Sequence, residues 1–299
     1  MIWQGVFPAI TTPFDEALRV DHEFLAKHAR WQSEAGCKGL VALGSLGEGA
    51  TLAYDEKLDI LLTCIGATGT PVIAGISALS TEEAVRLAQD AERLGCKGLM
   101  VLPQYVYRGD WREDKAHICA VTRATSLPCM LYNNPVAYGV DFVPEHVAEL
   151  AAELPNLVAI KESSTDVRRV TGIRALIGDR LALFVGVDDA IVEGIAAGAT
   201  GWIAGLVNAC PAESVRLFDL ALAGRDLEAF ELYRWFLPLL RLDTVPKFVQ
   251  YIKLAQQVFG IGNERTRPPR LMIEGGERKA VLETIKQGLA SRPDLALTG

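Results

Sequence analysis

"AGCKGLVALGS" at residues 35–45 and "LGCKGLMVLPQ" at residues 94–104 carry one pattern twice, and "AGATGWIAGLV" at residues 197–207 repeats its shape. Each opens on a glycine suited to end a helix in the left-handed conformation, and each continues as an apolar strand. The first two copies lie about sixty residues apart, the length of two strand–helix units in an α/β chain.

Outward from these copies, apolar runs at 6–11, 39–44, 72–76, 98–102, 129–132, 158–161, 182–186 and 201–204 read as strands. Amphipathic stretches separate them. In "STEEAVRLAQDAERLG" (80–95), Ser80 is placed to cap a helix, with Glu83 three residues on. Eight such units predict an α/β fold, a (β/α)8 TIM barrel, in preference to a doubly wound open sheet. The barrel is expected over residues 1–219. Residues 220–299, with "DLEAFELYRWFLPLLRL" and "KFVQYIKLAQQVFG", predict a C-terminal helical extension packed on it.

Composition narrows the function. With 50% hydrophobic residues among 299, the chain buries a large core. Its net charge of −7 and the lack of a Lys/Arg block argue against a nucleic-acid surface. The six cysteines are scattered, with no CxxC and no metal-like grouping with the four histidines; Cys37, Cys96 and Cys129 read as small core fillers. The N-terminus lacks a signal-peptide pattern, and no apolar run reaches the roughly 18 residues of a membrane span. A reduced, cytoplasmic protein without a membrane partner is expected.

Barrel enzymes place their chemistry at the C-terminal ends of the strands. Here those ends read "GSLGE", "PQYVY", "YNNP", "KES", "GVDD" and "AGLVN". In "NLVAIKESST" (156–165), strand alternation puts Leu157, Ala159 and Lys161 on one face. Small Ala159 leaves room for the lysine stem inside the barrel mouth. Removal from water favours the neutral amine, and a neutral amine adds to carbonyls to form Schiff bases. A lysine that snorkels outward or pairs with Glu162 is the plain alternative. Tyr132, ending the neighbouring strand, is placed to move protons during that addition, unless it is an ordinary aromatic before an Asn133–Asn134–Pro135 turn. The glycines of "LGSLGEG" (43–49) let backbone N–H groups approach an anion, and Ser45 adds a hydroxyl. Glu48 is expected to cap the next helix.

In this order and spacing, "GSLGE", "YNNP" and "AIKES" resemble the dihydrodipicolinate synthase/N-acetylneuraminate lyase family over nearly the whole chain. The resemblance implies a class I (lysine Schiff-base) lyase or aldolase acting on a small 2-oxo acid, with no metal or organic cofactor, usually a homotetramer. It implies that Lys161 condenses with the keto carbon and that Tyr132 relays protons. Gly44, Ser45, Leu46 and Gly47 would hold the substrate carboxylate, with Gly186 and Ile203 lining the site. A second tyrosine, lent across a dimer interface in some members, best matches Tyr105, with Tyr107 its neighbouring candidate.

Three departures bear on the substrate. The synthase proper carries an arginine after its strand-5 tyrosine that grips a second carboxylate; Ala137 stands there. The loop's second hydroxyl residue is replaced by Leu46. The synthase's "NPIPVK"-like segment has no clear counterpart, although Lys253 matches its lysine. "GSLGE", "GVDD" and "VPKFVQYIKLA" resemble members that degrade hydroxyproline and deoxy sugar acids. The expected activity is therefore deamination of 1-pyrroline-4-hydroxy-2-carboxylate. Dehydration of a 2-keto-3-deoxy sugar acid, pyruvate-dependent aldol chemistry and 4-hydroxy-tetrahydrodipicolinate synthesis are the alternatives, the last disfavoured by Ala137. Asp188 and Asp189 read as helix caps in preference to substrate contacts. A non-catalytic metabolite-binding barrel and a phosphate-binding barrel are weaker readings, the latter opposed by these two acids.

Overall fold

Each repeat contains two glycines three residues apart, and the computed structural model, which describes residues 3–294, separates their roles. The first of each pair, Gly36, Gly95 and Gly198, has φ of 104°, 100° and 105°, the left-handed turn that ends a helix. The second, Gly39, Gly98 or Gly201, opens or immediately precedes a strand, and its missing side chain is filled by an aromatic ring. A Cβ on Gly39 would overlap Phe7, one on Gly201 would overlap Phe184, and one on Gly98 would lie 2.9 Å from Trp3. These rings plug one end of the barrel: Trp3 stacks on Phe7 and Phe7 meets Phe184 edge-on, centroids 5.4 Å apart. The repeat thus encodes both the helix stop and the barrel's floor.

Eight parallel strands result: β1 (Gly5–Pro8), β2 (Leu40–Ala42), β3 (Val72–Ile76), β4 (Gly98–Val101), β5 (Cys129–Asn133), β6 (Leu157–Glu162), β7 (Ala182–Val185) and β8 (Gly201–Ala204). Each pairs with its sequence neighbour from β2 to β8, and β8 pairs with β1 in register Gly5↔Gly201. The Ala9↔Val41 bridge and the Ile10 N–H donated to Val41 O at 3.0 Å close the ring between β1 and β2. A (β/α)8 barrel follows, not an open sheet. Several strands are shorter than the apolar runs suggest. Thr11, for example, leaves the ladder because its N–H donates to the Asn208 side chain at 3.1 Å. Ser80 caps Thr81–Leu94 as expected, accepting from Glu83 N–H at 3.2 Å.

After β8, helix Pro211–Leu222 packs against β1 and completes the outer ring. Helices Asp226–Leu240, Phe248–Val258 and Gly275–Ala290 follow and pack along the barrel's flank and mouth. Residues 1–2 and 295–299, parts of the expected barrel and extension, lie outside the described residues. All six cysteines are buried and unpaired. Among the described residues, no helix is long and apolar enough to cross a membrane.

Candidate active site

Lys161 sits on β6 opposite Tyr132 on β5, in register, and strand parity turns both into the barrel mouth. Its Nζ lies 4.1 Å from the centroid of the Tyr132 ring, and the residue is only 6% exposed. Among the described residues Lys161 forms no salt bridge. Glu162, the alternative partner, faces the other way and accepts from Asn133 Nδ2 at 2.9 Å and Ser164 N–H at 2.6 Å. Burial pushes its carboxyl above the usual carboxylate range. The lysine therefore points inward, unpaired.

The "YNNP" turn does more than reverse the chain. Asn134 accepts from Ala137 N–H at 3.0 Å, capping the short helix Pro135–Tyr138, and its amide donates to the Tyr132 hydroxyl at 3.0 Å. Asn133 is fully buried and also accepts from Phe142 N–H at 2.9 Å, tying the loop down. That helix delivers a residue to which sequence reasoning gave no role. Tyr138 shares a hydrogen bond with Ser45 Oγ, stacks on Tyr105 with centroids 5.5 Å apart, and meets Tyr132 edge-on at 5.7 Å. Burial first, then the two neighbouring phenols, drives the Tyr138 hydroxyl well above its ordinary range; burial raises Tyr105 as well. Of the two candidates, Tyr105 lies in the site of its own chain, whereas Tyr107 is exposed and donates to Glu113 at 3.0 Å.

The loop after β2 is held in a strained shape. Leu43 and Glu48, neither a glycine, have φ of 66° and 55°. Gly47 and Gly49 admit backbone carbonyls: a Cβ on Gly47 would lie 3.0 Å from Ile10 O, and one on Gly49 would overlap Leu43 O. Thr12 Oγ1 donates to Gly47 O at 2.6 Å. Among the described residues the N–H groups of Ser45, Leu46 and Gly47 donate to no protein acceptor. The Leu46 side chain is buried in the core. Glu48 does not cap a helix. It is fully buried and bonds Lys253 Nζ at 2.5 Å, while Arg267 N–H donates to its other oxygen at 3.0 Å. Burial pulls the Lys253 amine down to about 8, with the Glu48 carboxylate opposing. Lys253 also donates to Arg265 O at 2.7 Å, and so ties this loop to the C-terminal helices.

Across the mouth, Gly186 makes room for the lysine: a Cβ there would overlap Lys161 Cε and Ser163 Oγ. Ile203 is buried on the inward face of β8, two residues from Gly201. Asp188 is no helix cap either. It accepts from Trp202 Nε1 at 3.0 Å, Gly205 N–H at 3.1 Å and Leu206 N–H at 2.8 Å, and so braces the turn after β8. The capping reading fails because the Asp188 oxygens are taken by Trp202, Gly205 and Leu206, and neither Asp188–Ala190 nor Ile191–Ala196 carries a side-chain cap. Asp189 instead accepts from Arg241 Nε at 3.3 Å.

The model of the dihydrodipicolinate synthetase family matches residues 3–288. The chain is 32% identical over 269 residues to 4-hydroxy-tetrahydrodipicolinate synthase of Methanothrix thermoacetophila, covering 90% of this chain and 91% of that one. The structure of 4-hydroxy-tetrahydrodipicolinate synthase from Methylacidiphilum fumariolicum SolV superposes with a TM-score of 0.91 at 28% identity, covering 96% and 97% of the two chains. A monomeric dihydrodipicolinate synthase variant superposes with a TM-score of 0.89 at 27% identity, covering 95% and 96%. With a lysine at the end of β6 and the family's model spanning it almost end to end, this chain belongs to the dihydrodipicolinate synthetase family of class I Schiff-base lyases and aldolases.

Proposed function

We propose that the protein opens and deaminates a small hydroxylated cyclic imino acid through a Schiff base on Lys161, with 1-pyrroline-4-hydroxy-2-carboxylate the best substrate. The inward, unpaired Lys161 amine over the Tyr132 ring carries this reading. The substrate carboxylate is held by the N–H groups of Ser45, Leu46 and Gly47. Lys161 adds to the ring imine carbon and displaces the ring nitrogen, giving a ring-opened iminium. Proton transfers pass through Tyr132 and the Ser45–Tyr138 hydrogen bond. Loss of a C3 proton gives an enamine, which expels the 4-hydroxyl as water. Tautomerisation and hydrolysis then release ammonia and 2-oxoglutarate semialdehyde and restore the lysine.

The names of the matched relatives favour 4-hydroxy-tetrahydrodipicolinate synthesis as the second reading. Against it stands Ala137, exposed in the short helix, where the synthase's second carboxylate would need a bidentate cation. The family's tetramer is also the assembly we infer; Val106 and Val136, 89% and 75% exposed beside the mouth, supply apolar surface for it.

An assay of pyruvate, ammonia and semialdehyde across candidate substrates tests the reaction, with borohydride trapping and peptide mass analysis. Ammonia without pyruvate, and an adduct on Lys161 that is lost in Lys161→Ala, are expected. Pyruvate consumption with aspartate semialdehyde at synthase-like rates would replace this reading with the second.

A further inference from the structure

The C-terminal extension contributes one side chain to the mouth that nothing in the barrel accounts for. Asp243 follows helix Asp226–Leu240 in the turn Arg241–Asp243, and its carboxyl occupies the space where a side chain on Gly205 would stand. Gly205 directly follows β8, at the same end of the barrel as Lys161. The same Gly205 donates its N–H to Asp188, so two carboxyls flank one glycine. They differ in one respect. Asp188 is saturated by three donors, whereas Asp243 Oδ1 is buried and has no hydrogen-bond partner. A second orphan lies beside the lysine: Ser163, 3% exposed, with Oγ unpartnered and close to Lys161 Cε around Gly186. A buried polar atom left without a protein partner calls for one from outside the fold, and in a barrel mouth a ligand's polar group meets that need as ordered water does.

We propose that Asp243, carried over the barrel mouth by the extension, is the acid that protonates the departing hydroxyl of a 2-imino or 2-oxo acid substrate. The assignment rests on the elimination proposed above. In that step the neutral enamine on Lys161 pushes its electron pair toward C3. The C4–O bond breaks, the Asp243 proton goes to the leaving oxygen, and the products are a conjugated iminium, water and the Asp243 carboxylate. Solvent returns the proton before the next turnover. Protonation of Asp243 before the step is consistent with its surroundings. Burial and then the Asp188 charge drive its carboxyl well above the usual range, Asp189 adds to this, and only Lys161 opposes it. An acid at this position suits elimination; aldol cleavage instead needs a base at the substrate hydroxyl.

The test compares wild type, Asp243→Asn and Gly205→Ala, with 1-pyrroline-4-hydroxy-2-carboxylate and its 4-chloro analogue, whose leaving group departs without a proton. Expected for Asp243→Asn is Lys161 adduct formation at the wild-type rate, the trapped adduct still carrying its hydroxyl. Ammonia release should fall on the order of 100-fold, and the chloro analogue should recover most of the loss. Gly205→Ala, which displaces the carboxyl, should show the same selective defect and stands in if Asp243→Asn fails to fold. Ammonia release by Asp243→Asn within about threefold of wild type, or an equal loss with both substrates, overturns the role of Asp243. A wild-type protein that forms no Lys161 adduct overturns the reaction itself, an outcome read independently of either variant.

Discussion

Tyr138 shows how much a single position decides. It stands next to Ala137, and its hydroxyl meets Ser45 while its ring packs between Tyr105 and Tyr132. Tyr138→Phe keeps the ring contacts and removes one hydrogen bond from the proposed proton path. Steady-state kinetics should show kcat reduced about tenfold, the worth of one such bond, with KM little changed because the proposed carboxylate grip uses backbone N–H groups. A fall in KM-dependent binding with kcat intact would place Tyr138 in substrate binding instead. Lys161, Tyr132 and Ser45 were legible in the sequence because strand ends and glycine turns announce themselves. Tyr138 was not, since a tyrosine after "NNPVA" looks like any loop aromatic until the Pro135–Tyr138 turn aims it.

At the scale of the element, the repeated glycines separate two kinds of constraint. Those with positive φ are local and readable, because only the backbone at that residue matters. Gly39 and Gly201 are constrained by rings more than thirty residues and about seventeen residues away, so no local pattern reveals them. Gly201→Ala should destabilise the protein by about 1–3 kcal/mol through forced displacement of Phe184. Gly66→Ala is the control. It lies in helix Tyr54–Ala67 with no atom within 4 Å of the added Cβ, and should stabilise by about 0.5–1 kcal/mol. Urea denaturation of the two variants checks both signs, and equal effects would refute the plug.

Over the whole molecule, the extension and the barrel are joined through the site. Glu48 in the loop after β2 and Lys253 in helix Phe248–Val258 are 205 residues apart and form a buried ion pair, with Arg267 closing on the same carboxylate. Arg267 also grips Glu56 through two bonds of 2.7 and 2.6 Å. Removing one buried partner leaves the other charge uncompensated, so Glu48→Gln should cost about 3–5 kcal/mol. The double variant Glu48→Gln, Lys253→Met should recover part of that loss. Denaturation midpoints of the single and double variants decide it, and an additive double variant would show that the two residues are not coupled.

The sequence alone determined the eight strand–helix units, the order of their ends and an amine on the inner face of β6, because strand alternation and glycine stops act over a few residues. Ring closure was decided by the Ala9↔Val41 bridge, which pairs strands through the whole sheet's curvature. The true work of Glu48, Asp188 and Lys253 was decided by partners on other elements, since a carboxylate near a helix start looks like a cap until other donors claim it. Long-range burial, which sets what each charge must pair with, exists only once the barrel and its extension have come together.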